Sequence, residues 1–272
     1  MRSVEAQLYY LGDMAERPVF HAVDMSRTNI VLEPRAVTIT DARSLAQPPS
    51  LDREGFAIVR HASEVDDLQD RDLLEGRYLR EVAELIRQVS GASEVRASPG
   101  PVARYTDRTD EARSAGTAPA ARFVHTDYTD VSARSYFLPQ VMDPEEALKR
   151  YRRITVYQTW RALSGPPVDV PLTVADGRSV QLEDMVTADT ILGGEYGHDQ
   201  AFEYSMCRYN PGHRWYYFRD MRPDEVLVFK GYDFDPRKPA RLFHTAFDDP
   251  SAPPDAPPRA SIEARAFAFF ED

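Results

Sequence analysis

Many short apolar runs at near-regular spacing, few helical stretches and no internal repeat predict a mainly β chain of the sandwich or jelly-roll class, with flanking helices. The length of 272 residues suits one large all-β or mixed domain, and 42% hydrophobic residues are enough to fill a sizeable core.

Leu8-Tyr9-Tyr10-Leu11 and the stretch 30–40 read as the first strands, and Gly55-Phe56-Ala57-Ile58-Val59 as the next after the Pro48-Pro49 loop. Ser63 is the expected cap of a helix with acidic residues in its first turn. Val65, Leu68, Leu73, Val82, Leu85, Ile86 and Val89 give that helix an apolar stripe, and Gly91 stops it. Such a stripe packs on a core and carries no chemistry. Residues 98–120 are rich in Pro, Gly, Ser, Thr and charge, which predicts a mobile loop, either a lid beside the site or a disordered surface excursion. Asp143 followed by Pro144 starts a second helix. Strands follow at 154–161, 170–174 and 225–230, with a turn at Asp176-Gly177. Residues 202–209 and 214–218 flank Asn210-Pro211-Gly212 and read as a hairpin. The last strand runs from Arg259 to Phe270.

A formal net charge of −11 argues against nucleic acid or an anionic membrane surface as partner. Cys207 is the single cysteine, so an intrachain disulfide and a cysteine-rich zinc site are excluded. Residues 1–7 lack the apolar segment of a secretory signal, and no apolar stretch is long enough to span a bilayer. The expected location is cytoplasmic.

The chemistry is carried by His125 and Asp127. They end the run Ala121-Arg122-Phe123-Val124-His125, whose β-branched and aromatic residues favour extended backbone. On a strand, residues i and i+2 share a face, so an imidazole and a carboxylate converge there. Taken alone, the tripeptide also reads as a histidine bonded to a neighbouring aspartate. His244, in the apolar stretch Leu242-Phe243-His244-Thr245-Ala246-Phe247, supplies a second imidazole. Two histidines and one carboxylate on one side of a metal, with the other side open, are the ligand set of non-haem Fe(II) oxygenases. Downstream, Arg259 and Ser261 share a strand face, a planar cation beside a hydroxyl that suits the distal carboxylate of a 2-oxo dicarboxylic acid. Arg265 shares that face and is the alternative anchor, with Glu263 between them. Trp160 and Arg161, an aromatic plate next to a cation, are the substrate-side candidates. His213 reads as a packing residue, His21 and His61 as surface residues, and the Gly193-Gly194 pair before His198 lacks the pattern of a phosphate loop.

Five stretches together resemble one family: Val124 to Tyr128; Gln158 to Arg161 with Pro171-Leu172 and Asp176 to Ser179; Tyr209 to Phe218; Met221 to Lys230; and His244 to Phe247 with Arg259 to Ser261. The chain is similar to the CmcJ/AsaB-like hydroxylase/desaturase family, with Gln158 standing where members usually carry Asn. The resemblance implies a double-stranded β-helix (jelly roll, cupin-like) and a 2-oxoglutarate-dependent Fe(II) dioxygenase, with O2 as the further substrate. It implies one domain over 1–272, with 1–92 as N-terminal strands and helix packing on a barrel core of 93–272. His125, Asp127 and His244 would hold the metal, Arg259 and Ser261 the 2-oxoglutarate, and a small molecule of a biosynthetic pathway would be hydroxylated or desaturated. Two rivals are an accessory subunit whose activity resides in a partner, and a cupin-like metal hydrolase or isomerase. Neither needs the Arg259–Ser261 anchor.

Overall fold

The computed structural model describes residues 1–22, 24–65, 67, 70–106, 117–192 and 200–271. The strands are β1 (Ser3–Leu11), β2 (Val19–His21), β3 (Leu32–Asp41), β4 (Phe56–Arg60), β5 (Glu94–Ala97), β6 (Val102–Tyr105), β7 (Thr117–Pro119) and β8 (His125–Thr126). They continue with β9 (Arg153–Ala162), β10 (Leu172–Ala175), β11 (Met185–Leu192), β12 (Gln200–Cys207), β13 (Trp215–Tyr217), β14 (Glu225–Asp233), β15 (His244–Ala246) and β16 (Ala260–Phe270). They form two sheets. One has the order β1-β3-β13-β10-β15-β8-β12-β11-β2, the other β4-β14-β9-β16-β6-β7, with β5 also paired to β16.

The alternation along β16 shows how the layers are made. Ile262, Ala264, Ala266 and Ala268 face one way, against a helix whose last three turns are α1 (Leu79–Ser90). Three alanines at period two leave a shallow groove, and Leu79, Val82, Leu85 and Ile86 fill it. Burying four such side chains contributes roughly 1.5–3 kcal/mol each. Arg259, Ser261, Glu263 and Arg265 alternate with those residues and face the other sheet. The antiparallel register of β16 on β9 sets Arg265 opposite Gln158, Glu263 opposite Trp160 and Ile262 opposite Arg161.

Several expectations need correction. The helix is capped by Asp70, whose carboxylate accepts from Asp72 N and Leu73 N, and it passes through a π turn over Leu74–Tyr78 before α1. Ser63 lies before it. Its hydroxyl accepts from Val65 N and donates to Glu81, closing a local turn, while Leu68 lies outside the described residues. Gly91 does end the helix, in the left-handed region at φ 68°. Asp143 caps α2 (Pro144–Arg150) as the Asp-Pro step predicts. Residues 208–214 do not close a paired hairpin: β10, β15 and β8 stand between β13 and β12 in the sheet. The Asn-Pro-Gly turn therefore spans three strands, a relation that local turn chemistry does not encode. Part of the loop expected at 98–120 is strand, because β6 pairs with β16 beside Ser261, and residues 107–116 lie outside the described residues. Strands β1, β3 and β4 are hydrogen-bonded members of the two sheets.

Two glycines admit close approaches that shape the centre. Gly55 adopts φ +92°, and a Cβ there would lie 2.6 Å from Leu242 Cδ1. Gly231 sits where the pairing of β14 with β9 shifts register between Lys230 and Tyr232; a Cβ there would meet Gln158 Oε1 and Tyr128 Cε2, each at 2.6 Å.

Gly55→Ala should lower the urea-unfolding free energy by about 1–3 kcal/mol, since it adds backbone strain and crowds a fully buried Leu242. Gly76→Ala, where nothing lies within 4 Å, is the matched control and should leave the midpoint almost unmoved.

Candidate active site

Pairing between β8 and β15 sets His125 directly opposite His244, with ring centroids 4.4 Å apart. Both imidazoles are oriented by the same device. His125 Nδ1 lies 2.8 Å from the carbonyl of Phe123, and His244 Nδ1 lies 3.2 Å from that of Leu242. A carbonyl only accepts, so each Nδ1 carries the proton and each Nε2 presents a lone pair. Asp127, just beyond β8, brings Oδ1 to 3.4 Å from His125 Nε2 and 3.8 Å from His244 Nε2. The ligand atoms of the three side chains all lie within 4.8 Å of one another, a spacing that fits one ion.

Charge matches this donor set. Burial pushes the His244 imidazole down to about 4, and the neighbouring His125 adds to the shift, so His244 is neutral above that range. Burial alone would raise the Asp127 carboxyl. The Arg265 guanidinium outweighs it and holds the carboxyl well below the usual range. Two neutral nitrogens and one carboxylate oxygen suit a divalent ion of the Fe(II) type.

The chain is similar to known proteins over most of its length. A family model described as an oxidoreductase/YMDC permease-like domain matches residues 8–269. The Fe(II)/2-oxoglutarate-dependent dioxygenase nvfI of Aspergillus novofumigatus is 31% identical over 251 residues, which cover 90% of this chain and 86% of that protein. The hydroxylase/desaturase CTB9 of Cercospora beticola is 32% identical over 88% of this chain and 78% of its own. This chain belongs to the hydroxylase/desaturase family of Fe(II)/2-oxoglutarate-dependent dioxygenases. The solved structure of the iron and alpha-ketoglutarate-dependent endoperoxidase NvfI superposes with a TM-score of 0.85 at 27% identity, over 99% of both chains. The fold is accordingly the jelly roll of these dioxygenases.

The structure places the other expected residues of this dioxygenase unevenly. Arg259 and Ser261 are together and fully buried. Arg259 Nε and Nη2 donate to Ser261 Oγ at 3.0 and 2.9 Å, and Nη1 donates to the Val170 carbonyl. Its nearest carboxylate, Glu263, is 4.0 Å away and is engaged by Arg104 at 2.9 Å. Burial pulls the Arg259 guanidinium down to about 10. A buried cation without a close carboxylate suits an anionic group of a ligand. Trp160 stacks its ring 5.1 Å from the Arg259 guanidinium, and its buried Nε1 has no hydrogen-bond partner among the described residues.

Arg161 is not brought to this site. It faces the opposite side of β9, under the helix, where its Nη1 donates to the carbonyls of His61 and Pro223 at 2.6 Å and its ring neighbour is Tyr78. Adjacent strand positions point oppositely, and β9 continues past Arg161 without a bulge that would turn it inward. His61 is thus a partner of Arg161, its Nδ1 2.8 Å from Nη2, and not merely a surface residue. His213 is a packing residue, with Nε2 3.0 Å from Asp184 and its ring among Tyr10, Trp215 and Phe243. His198 and the Gly193-Gly194 pair lie outside the described residues. Sequence reasoning left Gln158 without a role and missed the aromatic wall of Phe123 and Tyr204 around His125. Gln158 lies on the Trp160 face of β9, and the pairing with β16 brings it beside Arg265 at Asp127.

The buried histidines give a pH signature. His61, His213 and His244 all have imidazoles pushed below their ordinary range, by burial first. The unfolded chain binds protons at these groups before the folded one does, so stability is full above about pH 6.5 and is lost as pH falls below it. The metal-free protein should show a falling Tm between pH 7 and 5, and His213→Gln should flatten that slope. A Tm that rises on acidification over this window would contradict the neutral assignment.

Proposed function

We propose that the protein, a single cytoplasmic catalytic domain, binds Fe(II) through His125 Nε2, Asp127 Oδ1 and His244 Nε2 and oxidises a small biosynthetic molecule. The observation that carries this reading is the convergence of two Nε2 lone pairs and one carboxylate oxygen, each oriented by its own hydrogen bond. Among the described residues, no helix is long and apolar enough to cross a membrane.

Arg259 and Ser261 anchor the distal carboxylate of 2-oxoglutarate by a charge-assisted pair and a hydroxyl donor. Trp160 covers the anchor with its ring and keeps an indole N–H for a ligand acceptor. Phe123 and Tyr204 form the wall beside His125, with ring centroids 4.9 and 6.4 Å from it, which favours a largely uncharged substrate skeleton. Bound Fe(II), with 2-oxoglutarate and O2, supplies an oxidant able to remove hydrogen from an unactivated C–H bond, the co-substrate leaving as succinate and CO2. The chain's own residues orient the reactants and keep water away, because the surroundings of both histidines are buried.

Anaerobic protein given Fe(II) and 2-oxoglutarate should develop a weak visible absorption band and, on admission of O2, form succinate. His125→Ala, Asp127→Ala and His244→Ala should each abolish the band while circular dichroism stays unchanged; full intensity in all three variants would reject the ligand assignment.

Arg259→Ala should weaken 2-oxoglutarate binding by about 2–4 kcal/mol, roughly thirtyfold to a thousandfold, and Ser261→Ala by less. Titration of 2-oxoglutarate against the visible band measures both. An unaltered affinity in Arg259→Ala would move the anchor elsewhere.

A further inference from the structure

We propose that Arg265 and Gln158 are positioning residues that hold Asp127 as a one-oxygen ligand, and that Arg265 is not a co-substrate anchor. The inference rests on the metal site proposed above.

The two oxygens of Asp127 have different surroundings. Oδ2 accepts three N–H donors: Arg265 Nε at 3.0 Å, Arg265 Nη2 at 2.6 Å and Gln158 Nε2 at 2.9 Å. These saturate the acceptor capacity of one carboxylate oxygen. Oδ1 instead faces the Nε2 atoms of His125 and His244. An ion set among the three side chains meets Oδ1 alone. Gripping it with both oxygens would require Oδ2 to turn away from a guanidinium and an amide in a buried setting, where charge-assisted bonds are hardest to replace.

The amide adds a single donor, and its buried Oε1 has no hydrogen-bond partner among the described residues. A carboxylate only accepts, so the Gln158 nitrogen must point to Asp127 and Oε1 must point away. Oε1 then lies against Gly231, at the register shift of β14, where any Cβ would approach it to 2.6 Å. The missing side chain at 231 is the space in which the longer amide is seated. Arg265 comes from β16 and Gln158 from β9, cross-strand partners in one register, so the clamp moves as a unit with the sheet.

One-oxygen ligation has a direct chemical use. It confines Asp127 to a single coordination position and leaves free the position that a second oxygen would take. The same contacts separate the two arginines: Nε and Nη2 of Arg265 in β16 are committed to a carboxylate of the chain, whereas Arg259, just before β16, has none closer than 4.0 Å among the described residues.

The test uses the full chain with Co(II) as probe, its affinity read by competition with a chelator and its coordination by the visible d–d absorption. Asp127→Ala is the control for the metal site itself. Arg265→Ala should weaken Co(II) binding ten- to a hundredfold and change the absorption, and millimolar guanidinium should restore both. Gln158→Leu and Gln158→Asn should weaken binding less, since one donor of three is lost, and guanidinium should not rescue them. If Arg265→Ala proves poorly folded by circular dichroism, the two Gln158 variants decide the matter through their spectra. Wild-type affinity and absorption in Arg265→Ala, with Asp127→Ala inactive in binding, would overturn the clamp alone. So would intact Co(II) binding in Arg265→Ala with 2-oxoglutarate affinity lost. Equal Co(II) binding by Asp127→Ala and the wild type would overturn the metal-site reading and the clamp with it.

Discussion

The antiparallel pairing of β9 with β16 is the constraint on which the site depends. Its ten matched positions, from Arg153–Phe270 to Ala162–Ser261, determine which side chains face Asp127 and which lie under the helix. Side-chain direction in a sheet has period two, so a slip of one residue would exchange the two sets. Arg265 and Gln158 would turn to the apolar helix, and the alanines of β16 would face the carboxylate. The apolar packing of Ile262, Ala264, Ala266 and Ala268 against Leu79, Val82, Leu85 and Ile86 resists that exchange. The hydrophobic contact on one face thereby enforces the polar geometry on the other.

The two faces solve different electrostatic problems. Toward the helix, Arg161 is buried with carbonyls and an imidazole as partners, and no carboxylate of the described residues forms a salt bridge with it. Toward the opposite sheet, Arg265 is matched by Asp127 and Arg104 by Glu263, while Arg259 rests on Ser261 and the Val170 carbonyl. Burying a cation is costly unless polar atoms surround it; Arg265 and Arg104 have carboxylate partners, whereas Arg259 relies on a hydroxyl and a carbonyl and Arg161 leaves its Nε without a partner among the described residues.

Much of this was legible in the sequence, for local reasons. The His-x-Asp step, the apolar stretch around His244 and the alternation from Ser261 to Arg265 are short-range patterns, although Asp127 itself lies just past β8 and His244 meets His125 only through strand pairing. The Asp143-Pro144 start and the Gly91 stop are equally local. What was not legible was long-range. The hairpin expected around Asn210-Pro211-Gly212 has ordinary turn chemistry, yet three strands separate its arms. Trp160 and Arg161 look equivalent as neighbours in sequence, and only the cross-strand partners Glu263 and Ile262 show which one faces inward. The helix start at Asp70 rather than Ser63 was missed because both residues offer a capping oxygen.

The register shift at Gly231 has a consequence for how this chain and its relatives can diverge. The Gln158 amide reaches Asp127 only because the strand beside it yields both a side chain and a regular pairing position. Positions 158 and 231 are therefore sterically coupled across two strands. A lineage that shortens the amide relaxes part of the demand on its neighbour, although the Tyr128 ring at 2.6 Å still favours glycine there. With glutamine at 158, a side chain at 231 would crowd its Oε1. Transplanting this site onto a straight strand would carry over the ligands without the space that aims them.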